Sequence, residues 1–159
     1  MSQSVVRLMV QDKTLIIEIN GKVDENFIFP SVKFSLHSEL ILDLKNLTAI
    51  NSVGIRTWIH WNALIPADLK IKYRNCSQVA VEHILTFAGF LPSGAVIESA
   101  YVPYFCDPCD LTTDLLVIKN ETTTPDNINI PDNIECQYCR NLASLDADKD
   151  DYIQIFFGM

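Results

Sequence analysis

Two short apolar runs rich in β-branched residues, 5–10 and 15–19, open the chain on either side of the polar triplet Gln11-Asp12-Lys13, and this spacing predicts a hairpin of two strands. Gly21 closes the second run. Residues 39–44 (ELILDL) are almost continuously apolar, the pattern of a strand covered on both faces, with Asp43 near its end facing a loop. From Ser52 the period becomes helical: Ile55, Trp58, Ile59 and Asn62 share one face, Trp61 and Leu64 widen it, and Pro66 stops it. Asn51 or Ser52 supplies the cap. Residues 69–73 read as a strand, and Ser77 caps a second helix with Val81, Ile84, Leu85 and Ala88 on one face and Gly89 as its stop. With a further strand at 95–104, strands and helices alternate. That order predicts an α/β fold, a mixed sheet with helices packed on it.

After Tyr104 the texture changes. The motif CDPC is followed by a short strand at 114–119 and a polar stretch, 120–133, whose two prolines mark it as an exposed loop. CQYC comes next, then a small helix or turn, the acidic run 146–151, and a last strand at 152–157. The boundary falls near residue 103, dividing the chain into a main domain, 1–102, and a small β-rich extension, 103–159. A length of 159 residues suits one compact domain with an appendage.

Composition narrows the class. With 48% hydrophobic and 20% charged residues the chain is globular in character, and it contains no apolar run of eighteen. Residues 1–10 have neither the basic start nor the cleavage pattern of a secretory signal, so a cytoplasmic location is expected, without membrane insertion. The net charge of −8 is unevenly placed: residues 1–102 carry nine acidic and nine basic side chains, whereas 103–159 carry eleven acidic and only three basic ones, Lys119, Arg140 and Lys149. So acidic an extension repels phosphates, which argues against a nucleic-acid partner.

The strongest chemical signal is C-x₂-C at Cys106 and Cys109, repeated at Cys136 and Cys139 after twenty-six intervening residues. Two such pairs each turn a knuckle that aims two thiolates at one tetrahedral cation, which predicts zinc. Two redox motifs or two disulfides are the competing readings, and a cytosolic setting disfavours stable disulfides. Four sulfur ligands leave no open position for water or substrate, so the ion is expected to be structural. Cys76 reads as a small buried hydrophobe, and His37, His60 and His83 show no metal spacing. Five glycines form no phosphate loop, and neither G-x-S-x-G nor H-E-x-x-H occurs, so the expectation is a non-enzymatic protein. Asp24, Glu25 and Asp43 read as solvated charges. Asp146, Asp148, Asp150 and Asp151 alternate like the start of a calcium loop but without its glycine and closing Glu, and read as an acidic turn before a strand.

The segment ELILDLKNLTAINSVGIRTWI, residues 39–59, resembles the centre of the STAS domain, the family of anti-sigma-factor antagonists and of sulfate-transporter regulatory tails. The opening LIIEINGKVDE, the strand LKIKY and the helix SQVAVEHILTFAGF are similar to further STAS elements, so the resemblance covers about residues 4–102. It implies a STAS-like mixed sheet and a non-enzymatic protein-interaction module of bacterial signalling, whose partner is a kinase, an anti-sigma factor or another regulator. The family's D-S-S-G aligns with Asn51, Ser52, Val53 and Gly54, so Val53 stands where antagonists carry their phosphoserine, and Ser52 is left as a cap. The working surface implied is Asn51, Ser52, Val53, Gly54 and Arg56, with the helix N-terminus offering its partial positive charge. Gly54 either keeps that approach uncrowded or allows close packing. The family's first helix falls between Asp24 and Glu39, where Phe27, Phe29, Pro30 and Phe34 make an irregular segment. Two alternatives stand beside this reading: a ligand-binding or lipid-transport accessory role, as in some STAS proteins without a phosphosite, and a thiol-redox enzyme using C-x₂-C.

Overall fold

The architecture was taken from a computed structural model, which describes residues 3–158. Strands β1 (Val5–Gln11) and β2 (Thr14–Val23) form the expected hairpin, antiparallel and in unbroken register from Val5↔Asn20 to Gln11↔Thr14. Gly21, at φ 92°, bends β2 rather than ending it, and a register shift follows between Gly21 and Lys22. The shift lets one strand serve two parallel neighbours. The first half of β2 pairs with β3 (Glu39–Asp43), and its end pairs with β4 (Leu47–Ile50), a strand too short to be read from the sequence. Strands β5 (Lys70–Arg74) and β6 (Val96–Ile97) complete a six-stranded mixed sheet in the order β1-β2-β3-β5-β6, with β4 off that path. Leu15, Ile17 and Ile19 of β2 meet Leu40 and Leu42 of β3 and Tyr73 of β5 in the core.

Helix α1 (Ser52–Asn62) covers this sheet. Its cap is Asn51, whose side chain accepts from the Gly54 N–H at 2.8 Å, and Trp58, Trp61 and Asn62 are buried while Ile55 and Ile59 are half-buried. Gly54 answers a steric demand, because a Cβ there would lie 2.1 Å from the Val23 carbonyl oxygen. No regular helix fills 24–38: the segment holds a single 3-10 turn, Phe34–Leu36, and closes over α1 with aromatic rings. Phe29 stacks on Trp61 at 5.1 Å and meets Trp58 edge-on at 5.5 Å.

Helix α2 (Gln78–Thr86), capped by Ser77, buries Ala80, Val81 and His83; Ile84 and Leu85 are half-buried and Ala88 lies exposed beyond its end. The turn after it drives the Phe90 carbonyl into the core, where Trp58 Nε1 (3.0 Å), Asn62 Nδ2 (2.8 Å) and the Tyr73 hydroxyl (2.7 Å) all donate to it. Three elements are thereby tied to one oxygen in a place without water, where a hydrogen bond is strongest and its loss most costly.

The strand expected at 95–104 divides at Glu98, whose N–H bonds the Tyr73 carbonyl at 2.8 Å. Beyond it β7 (Ser99–Cys106) begins beside Cys76, bonding it through Cys76 N–H to Ser99 O (3.0 Å) and Tyr101 N–H to Cys76 O (2.9 Å), then runs on past residue 103. Strands β8 (Leu111–Ile118), β9 (Asn133–Glu135) and β10 (Leu142–Leu145) join it in an antiparallel sheet, β8-β7-β10-β9. Two expectations need correction. Residues 142–145 form a strand, not a small helix or turn, and the last element is helix α3 (Lys149–Phe157), not a strand. Asp148 caps α3 by accepting from the Asp150 N–H at 2.9 Å, and Asp150 and Asp151 sit in its first turn, where negative charge complements the helix dipole. Its buried residues, Tyr152, Ile155 and Phe156, keep helical spacing and pack toward α2 and β6. The polar stretch 120–133 is anchored by buried Ile128 and Ile130.

Replacing Gly54 by Ala forces α1 away from the end of β2. The expected loss is about 1–3 kcal/mol of unfolding free energy, read as a lower urea midpoint with an unchanged slope.

Candidate metal centre

Each C-x₂-C pair lies at a hairpin tip of the second sheet, Cys106 and Cys109 between β7 and β8, Cys136 and Cys139 between β9 and β10. The two turns share one backbone design. The Asp110 N–H returns to the Cys106 carbonyl at 2.8 Å and the Arg140 N–H to the Cys136 carbonyl at 2.9 Å, with Asp110 (φ 55°) and Arg140 (φ 62°) both left-handed. Because β7 and β10 are neighbours, the knuckles face one another. All four sulfurs lie within 4.8 Å of each other, with Cys106 and Cys139 Sγ 3.4 Å apart and Cys109 and Cys136 Sγ 3.7 Å apart.

These separations are those of unbonded sulfurs gathered around one point. A disulfide needs sulfurs about 2.05 Å apart, and all five cysteines of the chain are free thiols. Four sulfurs held about 2.3 Å from a central ion in a tetrahedron stand roughly 3.8 Å from one another, close to what is found. The cluster can therefore hold a metal ion. Cys106 and Cys136 are fully buried and Cys109 and Cys139 half-buried, so the site is closed to solvent on its inner side.

Fixed dipoles prepare part of the site for negative charge. Backbone N–H groups at Cys139 and Tyr138 and the Thr113 hydroxyl (3.6 Å) bring the Cys136 thiol down to about 6 against the opposing effect of burial. Cys139 is lowered by the Asn141 backbone N–H and by the Asn141 side-chain amide, which donates to its sulfur at 3.3 Å. Burial pushes Cys106 and Cys109 the other way. Two sulfurs are thus biased toward the thiolate and two away from it, and a cation at the centre would favour the thiolate at all four. Thr113 and Asn141 escaped the sequence reading; Asn141 stands two residues after Cys139, but nothing in the sequence places Thr113 over Cys136.

The residues expected at the start of α1 divide into two kinds. Asn51 caps the helix while donating from Nδ2 to Glu25 Oε2 at 2.7 Å, and Gly54 is buried against β2, so both are tied into the framework. Glu25 is lowered from the ordinary carboxylate range by a backbone hydrogen bond and by Asn51. Ser52, Val53 and Arg56 are exposed. Among the described residues the cysteine quartet is the one group of metal-ligating side chains that converges, with no histidine in it. Cys76 is fully buried, and burial raises its thiol far above the usual value. Among the described residues no helix is long and apolar enough to cross a membrane.

Comparison with protein-family models finds none that matches the chain, and comparison with curated proteins finds no significant similarity.

Thr113→Val keeps the shape of the buried side chain but removes the O–H donor to Cys136. Affinity for a thiophilic divalent ion should fall about 10-fold, measured by competition with a chromophoric chelator.

Proposed function

We propose that this chain is a non-enzymatic protein-interaction module of bacterial signalling, built on a STAS-like domain and steadied by one structural zinc ion. The convergence of Cys106, Cys109, Cys136 and Cys139 within 4.8 Å carries the metal part of this reading, and the interaction part rests on the resemblance of residues 39–59 to the centre of the STAS domain. Zinc suits the donor set, because an all-sulfur tetrahedral pocket favours a borderline-soft ion with no geometric demand of its own. Four protein ligands complete the coordination, so the ion acts on folding and offers no place for a substrate. It closes both hairpins of the second sheet at the point where few apolar side chains are available to do so.

The working surface in this proposal is the open part of the α1 N-terminus. Its first-turn N–H groups carry partial positive charge, Arg56 adds a full one, and Val53, 41% exposed, supplies an apolar contact. A partner bearing a carboxylate or phosphate beside an apolar side chain fits this surface. With valine at 53 and serine only at 52, binding here runs without the usual phosphoserine switch.

The zinc part is tested by Cys106→Ser and Cys139→Ser. Each should lose the single equivalent of bound zinc and the ordered structure of the two cysteine-bearing hairpin tips, seen by metal analysis and amide exchange. Full zinc retention in both variants, or two readily oxidised thiol pairs in metal-free wild type, refutes the site. The surface part is tested with a partner recovered from the source cell using the intact chain. Val53→Asp should weaken its binding at least 10-fold, the cost of about 1.4 kcal/mol, while Val53→Ala binds nearly as wild type. Unchanged binding by Val53→Asp would place the interface elsewhere.

A further inference from the structure

The sheet edge formed by β1 carries little of what usually keeps edges apart. Natural edge strands are kept short, interrupted by proline or a bulge, or charged along their length. Strand β1 is seven residues long (VVRLMVQ), unbroken in register against β2, free of proline and charged only at Arg7, which lies across from Glu18 in its own hairpin. Apolar side chains on both faces are open to solvent, with Val5 45%, Leu8 51% and Val10 59% exposed, and the face of Val6, Leu8 and Val10 is wholly apolar. Among the described residues no element pairs with its outer side. The opposite edge, β6, is only two residues long.

We infer that two copies of this chain associate through the outer edges of β1, antiparallel and centred on Leu8, joining their two six-stranded sheets into one. The register follows from symmetry and charge. A two-fold axis perpendicular to the sheet pairs residues of the same face, so it must lie midway between one residue and its own copy on the partner strand. Centred on Arg7 it sets two guanidinium groups opposite each other, and centred on Met9 it leaves Val5 and Val6 without partners. Centred on Leu8 it pairs all seven residues, bringing Val6 against Val10, Leu8 against Leu8 and Arg7 against Met9. Six apolar side chains then line the face that continues the core side of the sheet, and no like charges are opposed.

The distribution of charge selects a second copy at this edge rather than the other. The net charge of −8 resides in residues 103–159, while 1–102 is neutral. Helix α3 packs beside β6, and β7 starts beside Cys76, just after β5, so the acidic part adjoins the far side of the sheet. Four strand spacings separate β1 from β6, about 19 Å, more than twice the roughly 8 Å screening length at physiological salt. Joining at β1 therefore keeps the two acidic extensions at opposite ends of the pair. The contact between two seven-residue edges is small, at or below the low end of the about 1,200–2,000 Å² of stable complexes, so the association reverses on dilution.

The test uses the full zinc-loaded chain. Sedimentation equilibrium over a wide dilution series should show a mass rising from one chain to two, and Leu8→Lys, which opposes two ammonium groups on the axis, should stay at one throughout with unchanged thermal unfolding. The register is read separately: Leu8→Cys should give a covalent dimer with a short bismaleimide, and Val5→Cys, which faces Gln11, much less, with the parent chain as blank. This pair of variants also decides the matter if Leu8→Lys does not fold. A single-chain mass at the highest concentration, a dimer indifferent to Leu8→Lys, or equal cross-linking at both positions overturns the inference.

Discussion

Everything beyond residue 98 depends on how β7 is held. Its first residues are hydrogen-bonded to Cys76 at the end of β5, and its last residue is Cys106, one of the four clustered sulfurs. A single strand therefore carries the geometry of the first sheet into the second. Ser99 strengthens the junction by accepting from the Asn75 N–H at 2.7 Å through its hydroxyl, and Asn75 in turn donates to Asp43 at 2.9 Å, where Arg74 also forms an ion pair at 2.8 Å. The ends of β3 and β5 meet at the Asp43 carboxylate and β7 joins them through Ser99 and Asn75, in a place partly shielded from water where charge-assisted bonds are stronger than at an open surface.

The same strand explains why the extension needs so little core of its own. Val102 and Tyr104 of β7, Val117 of β8 and Ala143 of β10 are buried in continuity with Tyr152, Ile155 and Phe156 of α3 and with the main core. Tyr152 donates to the Tyr101 carbonyl at 2.9 Å, so the final helix is fastened back to the shared strand. What this apolar cluster leaves unsupported is the hairpin tips, and those are the places where the cysteines stand. A metal held there would act at the point of least packing.

A parallel economy operates around α1. Where a helix would ordinarily cover the sheet, residues 24–38 supply aromatic rings from an irregular segment, and the Phe90 carbonyl collects donors from Trp58, Asn62 and Tyr73. Ring stacking and a saturated buried acceptor replace regular backbone bonding as the source of rigidity. The consequence is that the cap residue Asn51 is itself anchored, through Glu25, to the irregular segment. The open face of the α1 start is thus borne on fixed groups.

The sequence alone determined those features that rest on local chemistry: the hairpin of β1 and β2, the two helices begun by Asn51 and Ser77, and the mixed α/β class, because each follows from side-chain period and capping within a dozen residues. It also determined the cysteine quartet, since C-x₂-C carries its geometry in its spacing. Tertiary structure decided the rest. The short strands β4, β9 and β10 have too few residues to show a period and exist because a neighbour supplies their hydrogen bonds. Residues 152–157 read as a strand in the sequence because Tyr152, Ile153, Ile155, Phe156 and Phe157 are β-favouring, and the packing of α3 toward α2 and β6, with Tyr152, Ile155 and Phe156 buried, overrides that preference. Likewise the role of Gly54 and the approach of Thr113 to Cys136 depend on residues 31 and 23 positions away in the chain. Distances of that kind are set only when the sheets close.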